Sequence, residues 1–302
     1  MTYESLLNQL IISDERYIVL TAENRAAIRN LPGTAGDRFI DTGITEQTMI
    51  GIAAGLALRG RIPIAHALAT FLTMRAFEFI RTDVGIGNLP VKLIGGFSGF
   101  LSEANGPTHQ AIEDVSIMRG IPNVNIFCPA DEVEMLSGLP EILECSSPFY
   151  VRYNNLPPAV KHTEKFRIGK AEIVYSGKDV TILTYGILLR QAIEAECVLK
   201  ENGISTGIIN LRTLKPVDEE AILQAAGESK ILVTLEDHFL TGGLYSIVAE
   251  IFLKRKMIKD VLPVALENKW FKPALMNDVL EYEGFTGKQI AARISEYLLK
   301  KK

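Results

Sequence analysis

Short runs of β-branched and aliphatic residues alternate along this chain with segments whose apolar positions follow helical spacing. Leu6, Leu7, Leu10 and Ile11 give residues 2–14 an apolar helical face, and Arg16-Tyr17-Ile18-Val19-Leu20 reads as a buried strand. A polar stretch containing Pro32, Gly33 and Gly36 leads to a strand ending at Phe39-Ile40 and a turn at Gly43. A nearly all-apolar helix follows, with Met49, Ile50, Ile52, Ala53, Leu56 and Ala57 covering most of its circumference. Arg59-Gly60-Arg61-Ile62-Pro63 stops it. The pattern then predicts a strand over 64–69, a helix over 70–83, a strand over 91–94 and a Gly-rich loop over 95–106. It continues with a helix over 109–118, a strand over 124–127, a helix over 131–143 and a strand over 149–152. Strands this apolar cannot leave a face in water, so the alternation implies an α/β fold, a parallel sheet with helices on both faces.

Pro157-Pro158 and then Lys161-His162-Thr163-Glu164-Lys165 interrupt the alternation with turn-favouring polar residues. The boundary is placed there, giving domains over 1–158 and 159–302. Beyond it a second α/β set is predicted, with strands over 180–184, 206–210, 230–234 and 261–265. Its helices are expected over 188–202 and 218–226, from Thr241-Gly242-Gly243-Leu244 onward, and over 289–299. No low-complexity segment or short-period repeat occurs in the sequence.

At 302 residues the chain is long enough for two domains with real cores. The net charge of −4 gives no electrostatic reason to expect nucleic acid or an anionic membrane as partner. Cys128, Cys145 and Cys197 are widely spaced with no CxxC pair, which suits buried thiols in a reducing compartment rather than a disulfide frame or zinc site. The first residues lack a basic-then-apolar signal pattern, and no apolar run approaches the ~20 residues of a membrane span. A cytoplasmic location is the expectation.

Two stretches carry candidate chemistry. Asp41-Thr42-Gly43-Ile44-Thr45-Glu46-Gln47 puts Glu46 at the first turn of the buried helix, just past the carboxyl end of a strand, where ligands bind in open α/β sheets. The same place suits a carboxylate that only complements the helix dipole, with Thr42 or Thr45 as the cap. Glu103-Ala104-Asn105-Gly106-Pro107-Thr108-His109-Gln110 puts His109 at a loop-to-helix junction, able to exchange a proton near neutral pH. The pattern equally allows a surface histidine behind a cap from Thr108 or Asn105. Gly85-Ile86-Gly87 and Gly95-Gly96-Phe97-Ser98-Gly99 do not complete G-x-G-x-x-G, and Ser98 lies in no G-x-S-x-G elbow. Dinucleotide binding and α/β-hydrolase chemistry are therefore set aside.

Taken together, residues 41–47, the aromatic-bearing segment from Thr70-Phe71, Gly106-Pro107-Thr108-His109-Gln110 and Leu211-Arg212-Thr213-Leu214-Lys215-Pro216 resemble the transketolase family. The resemblance runs over nearly the whole chain, in order and spacing, and is closest to the separate small subunit of a split transketolase. It implies a pyrimidine-binding domain over 1–158 and a transketolase C-terminal-like domain over 159–302. It also implies thiamine diphosphate as cofactor and transfer of a two-carbon ketol unit from a ketose to an aldose. By this resemblance Glu46 matches the carboxyl that shares a proton with the aminopyrimidine N1′ and so promotes loss of the thiazolium proton. Phe71 matches the aromatic under the aminopyrimidine, with Glu23 and Met74 as further cofactor contacts. His109 matches a histidine beside the reacting carbon. Asn105, Phe97 and Arg152 fall at substrate-binding positions, Arg152 at that of an arginine that binds the substrate's phosphate.

The family's Gly-Asp-Gly motif, which holds the diphosphate and its metal, is missing; Gly36-Asp37 continues with Arg38. The resemblance therefore implies that this chain grips only the pyrimidine half of the cofactor. An N-terminal large subunit would hold the diphosphate with Mg²⁺ or Ca²⁺, in an α₂β₂ heterotetramer, and the chain alone would be inactive. Phe97 stands where the family has a phosphate-binding histidine, Asn105 where it has an aspartate, and Ala27 where a serine is expected. Exchanging charged or hydroxyl ligands for apolar ones removes charge-assisted bonds to phosphate, which points to an unusual, less phosphorylated substrate. Three rival readings remain: acyl transfer from pyruvate as in 1-deoxyxylulose-5-phosphate synthase, a 2-oxoacid dehydrogenase β subunit, and a non-catalytic regulatory subunit. Glu236-Asp237-His238 resembles a family segment at the subunit contact and is read as structural; Trp270 and Tyr282 are read as core or interface aromatics.

Overall fold

Strand residues without a polar alternation dominate the two sheets of the computed structural model, which describes residues 1–163 and 165–301; Glu164 of the predicted linker lies outside the described residues. In chain order the strands are β1 (Tyr17–Thr21), β2 (Phe39–Asp41), β3 (Ile62–Leu68), β4 (Lys92–Gly96), β5 (Asn125–Phe127) and β6 (Phe149–Arg152). They continue with β7 (Glu172–Tyr175), β8 (Val180–Thr184), β9 (Thr206–Asn210), β10 (Thr213–Lys215), β11 (Ile231–Phe239) and β12 (Val261–Leu266). One sheet has the order β10-β5-β6-β4-β3-β1-β2 and the other β12-β11-β8-β9-β7. Neighbours run parallel except at two edges, where β10 pairs antiparallel with β5 and β7 antiparallel with β9. Every residue of β1 and of β8 is buried, as expected of strands covered on both faces.

In the first unit the Glu46–Leu58 helix lies on the sheet through Met49, Ile50, Ala53 and Ala57, which meet Leu20, Ala65 and Ala67 in one core. In the second, the Leu189–Glu201 and Gly287–Leu299 helices pack Leu199, Ile290 and Ile294 against Ile182 and Val233. After β9 the chain turns back and contributes β10 to the first sheet, so the second unit completes the first unit's edge.

Three sequence expectations change. The helix predicted over 70–83 is broken into π-helical turns over Phe71–Arg75 and Ile80–Gly85 with an α turn at Phe77–Phe79. Thr73 Oγ1 donates to the Ala69 carbonyl and Thr82 Oγ1 to that of Glu78, both at 2.8 Å, so hydroxyls compete with the backbone ladder in the same turns. The helix predicted from His109 begins only at Asp114 (Asp114–Arg119), leaving His109 in a turn whose N–H donates to Gly106 O. Of the three thiols expected to be buried, only Cys128 is; Cys145 is half-buried and Cys197 exposed. Trp270 and Tyr282 are 58% and 43% exposed and so do not belong to the core. Among the described residues no helix is long and apolar enough to cross a membrane.

Candidate active site

Glu46 is the first residue of its helix and is buried, 2% exposed. Gly43 turns the chain there in the left-handed region (φ 68°), with its N–H donating to Asp41 Oδ1 at 2.9 Å. Neither threonine caps the helix: Thr45 makes no side-chain cap bond, and its hydroxyl donates instead to Thr42 O. The carboxylate is met by Arg75, whose Nη1 donates to Glu46 Oε2 at 2.8 Å. The Arg75 guanidinium also lies 4.1 Å from the centre of the Phe71 ring. On that ring the His109 imidazole packs edge to face, with centroids 5.1 Å apart. His109 is half-buried and its Nδ1 is 2.8 Å from Thr108 Oγ1.

Glu46, Phe71 and His109, predicted from three separate stretches, are thus linked through Arg75 at the carboxyl edge of the sheet. Arg75 is the member that sequence reasoning missed. Its signal was its place four residues after Phe71, the spacing that stacks side chains on one helical face. Met74 neighbours it, half-buried, its sulfur accepting the Thr70 hydroxyl at 3.7 Å. Glu23 is exposed, held at φ 63° in the loop after β1.

The predicted substrate residues separate. Phe97 and Ala27 line a cavity of about 280 Å³ with Asn24, Glu103 and Tyr153, whereas Asn105 is exposed and does not line it. Arg152 is a correction. It is 4% exposed; its Nε and Nη2 donate to the two oxygens of Asp114 at 2.8 Å each, and Nη1 donates to Asp237 Oδ1 at 2.6 Å. Tyr150 adds its hydroxyl to Asp114 at 2.6 Å. Burial works against the Asp114 carboxylate, and Arg152 more than offsets it, leaving that carboxyl below its ordinary range; Asp237 is pushed up by burial despite the same guanidinium. A guanidinium committed inside the protein to two carboxylates is not placed to take a substrate phosphate. It ties the two units together.

Glu236, Asp237 and His238 are internal as well. Glu236 accepts the N–H groups of Leu244 and Tyr245 at the start of the Leu244–Arg255 helix, and His238 Nε2 accepts that of Ser116 across the units. The linker histidine is half-buried and fully engaged: His162 Nε2 meets Asp131 Oδ2 and its Nδ1 meets Glu172 Oε2, both at 2.7 Å. Glu134, His162 and Glu172 are the one group, among the described residues, whose ligating atoms could share a metal ion. They lie beyond β5, toward the sheet edge opposite β2 and the Glu46 helix.

A buried carboxylate beside an aromatic face fits the ring nitrogen and flat surface of an aminopyrimidine. Among the described residues no group of three metal-ligating side chains lies at this site, and the sequence has no Gly-Asp-Gly loop for a diphosphate, so the fit is to the pyrimidine half of the cofactor.

Residues 5–156 match the pattern of the transketolase pyrimidine binding domain and residues 169–290 that of the transketolase C-terminal domain. The 6-deoxy-6-sulfo-D-fructose transketolase subunit SqwH of Clostridium sp. (strain MSTE9) is 35% identical over 300 residues, covering 98% of this chain and 92% of that protein. A 1-deoxy-D-xylulose-5-phosphate synthase of Dictyoglomus thermophilum is 37% identical over 266 residues, 87% of this chain but 43% of that protein, so the chain spans less than half of it. The fold superposes on a split-gene transketolase, solved as an inactive beta4 tetramer, with a TM-score of 0.87 at 31% identity, over 99% of this chain and 97% of that one. Two matched domains in sequence, and a match over nearly the whole of a transketolase subunit, lead to one conclusion: this chain belongs to the transketolase family.

Proposed function

We propose that this chain is the small subunit of a thiamine-diphosphate-dependent transketolase that moves a two-carbon ketol unit from a ketose to an aldose acceptor in the cytoplasm. Residues 1–158 form its pyrimidine-binding domain and 159–302 its C-terminal domain. The observation that carries the reading is the convergence of buried Glu46 with Phe71 and His109 at one sheet edge. Thiamine diphosphate, when bound, supplies a nucleophilic carbon for the ketose carbonyl and accepts the electron pair of the C–C bond that breaks. Glu46 holds the proton shared with the ring nitrogen, Phe71 supports the ring face, and Glu23 and Met74 flank it. His109 handles protons at the substrate oxygens, and Phe97 and Asn105 face the sugar.

A transketolase subunit and a split-gene transketolase chain, each matched over more than nine-tenths of its own length, support a large partner subunit holding the diphosphate with Mg²⁺ or Ca²⁺, in an α₂β₂ assembly. The split-gene relative, inactive as a beta4 tetramer, supports the same dependence. The synthase relative makes acyl transfer from pyruvate the second reading. Reconstitution with the large subunit separates them. Ketol transfer from a ketose by the complex, with cofactor binding tight only in the complex, is the expected result. Turnover of pyruvate alone would replace this reading with the second, and tight cofactor binding by the isolated chain would remove the partner from it.

A further inference from the structure

The cavity lined by Ala27 and Phe97 contains no cationic side chain among the described residues that line it. Its floor is the end of β4 (Ile94, Gly96) and its walls come from the loop after β1 and the segment after β6, so it opens at the same carboxyl edge as the Glu46 helix. The loop from Phe97 that ends in His109 forms another wall. Phe97 itself is 40% exposed and its backbone is held at φ 58°, a conformation bulky residues rarely adopt.

The polar groups on the walls are neutral donors and acceptors or negative. Asn24 and Asn155 offer amides. Tyr153 offers a phenol that burial, with Glu132 and Glu4, pushes up to about 12, so it stays protonated at neutral pH. His66 is buried and lowered to about 4 by that burial, hence neutral; its Nε2 already meets Tyr3 Oη at 2.6 Å and its Nδ1 meets Leu20 O at 3.3 Å. The one charged lining group is an acid, Glu103, which accepts the Met276 N–H at 2.6 Å. A phosphate or sulfonate entering this space would give up its hydration for no charge-assisted bond and would face a carboxylate. Hydroxyl groups lose far less on entry, and amides and a phenol replace the water they leave, while Phe97, Leu101 and Met276 cover the carbon-bearing face of a sugar.

We propose that this cavity receives the end of the sugar chain remote from the reacting carbonyl, and that it takes that end uncharged, as a hydroxyl or deoxy terminus rather than a phosphate or sulfonate. This rests on the transketolase reading of the site at the same sheet edge. It sets this chain apart from a relative named for a sulfonated sugar.

The test uses the reconstituted complex loaded with thiamine diphosphate and Mg²⁺, offered D-xylulose against D-xylulose 5-phosphate and D-fructose against D-fructose 6-phosphate. Calorimetric Kd and kcat/KM are measured for each matched pair. The expected result is at least a tenfold preference for the free sugar. Phe97→Arg, and independently Ala27→Lys, should move the ratio at least tenfold toward the phosphorylated member. Equal or tighter binding of the phosphorylated sugars by the wild-type complex overturns the proposal, and so does a ratio unmoved by both substitutions. If neither sugar is turned over, the ketol-transfer reading fails, while the paired Kd values still decide what this cavity accepts.

Discussion

Arg75 donates to Glu46 at 2.8 Å while its guanidinium lies over the face of Phe71, so one flat cation uses both the carboxylate and the aromatic surface. Those are the two features that fit an aminopyrimidine, and on the proposed function Arg75 competes with the ring for them. Replacing Arg75 by Ala removes a charged hydrogen bond from a buried carboxylate, and with Arg75 38% exposed the loss is about 1 kcal/mol of stability in the cofactor-free complex. The cofactor then meets no competitor, so the rise in Tm on adding thiamine diphosphate is larger in Arg75→Ala than in the wild type. A smaller rise would make Arg75 a support of the bound ring instead of its rival.

Glu46→Gln keeps the size of the side chain and its place at the helix start but removes the group that can hold a shared proton. Activity of the complex is expected to fall by roughly 100-fold or more, the scale of lost proton-transfer catalysis. Assembly and Tm should change little. Full activity in Glu46→Gln would sink the central role given to this residue.

The sheet centres were legible because their strands are short runs of β-branched and aliphatic residues, as in β8, where five successive residues are buried. The edges were not. β10 has three residues, and β7 alternates buried with exposed positions, leaving too short a signal for either. Glu46, Phe71 and His109 could be named because their motifs are local. Arg152 was misjudged because an arginine at a strand end reads the same whether it faces a cleft or an internal acid. Its partners Asp114 and Asp237 lie 38 and 85 residues away, a pairing no local pattern displays.

Arg152→Met tests that correction directly. It leaves Asp114 and Asp237 buried without their shared cation, and breaking such a buried pair costs about 3–5 kcal/mol. Urea denaturation should show that loss. Arg152→Lys, which keeps the charge but not the forked geometry, should recover part of it. A variant of normal stability with a raised KM for phosphorylated sugars only would return Arg152 to the substrate.

His162 gives stability a pH dependence of predictable sign. Burial opposes its charge, but bonds to Asp131 and Glu172, with Glu134 behind, raise it to about 10. A group raised above its unfolded value stabilises fully below about pH 6.5, and that contribution is lost as pH rises through about 10. Glu134, raised by burial to about 7, slopes in the same direction at lower pH, while Glu172, held down chiefly by its bond to His162 against burial, loses its share as pH falls. Arg212 and Asn210 face the same group, with Arg212 Nε 3.8 Å from Glu134 Oε1 and the Asn210 amide donating to that oxygen at 2.9 Å. The difference between wild type and His162→Gln isolates the histidine. Wild type should exceed the variant by about 2 kcal/mol at pH 6, after allowing for solvent screening, and the gap should close by pH 10. Chemical denaturation at pH 6, 8 and 10 measures it; a gap that stays constant across the three would mean that His162 is neutral in the folded protein.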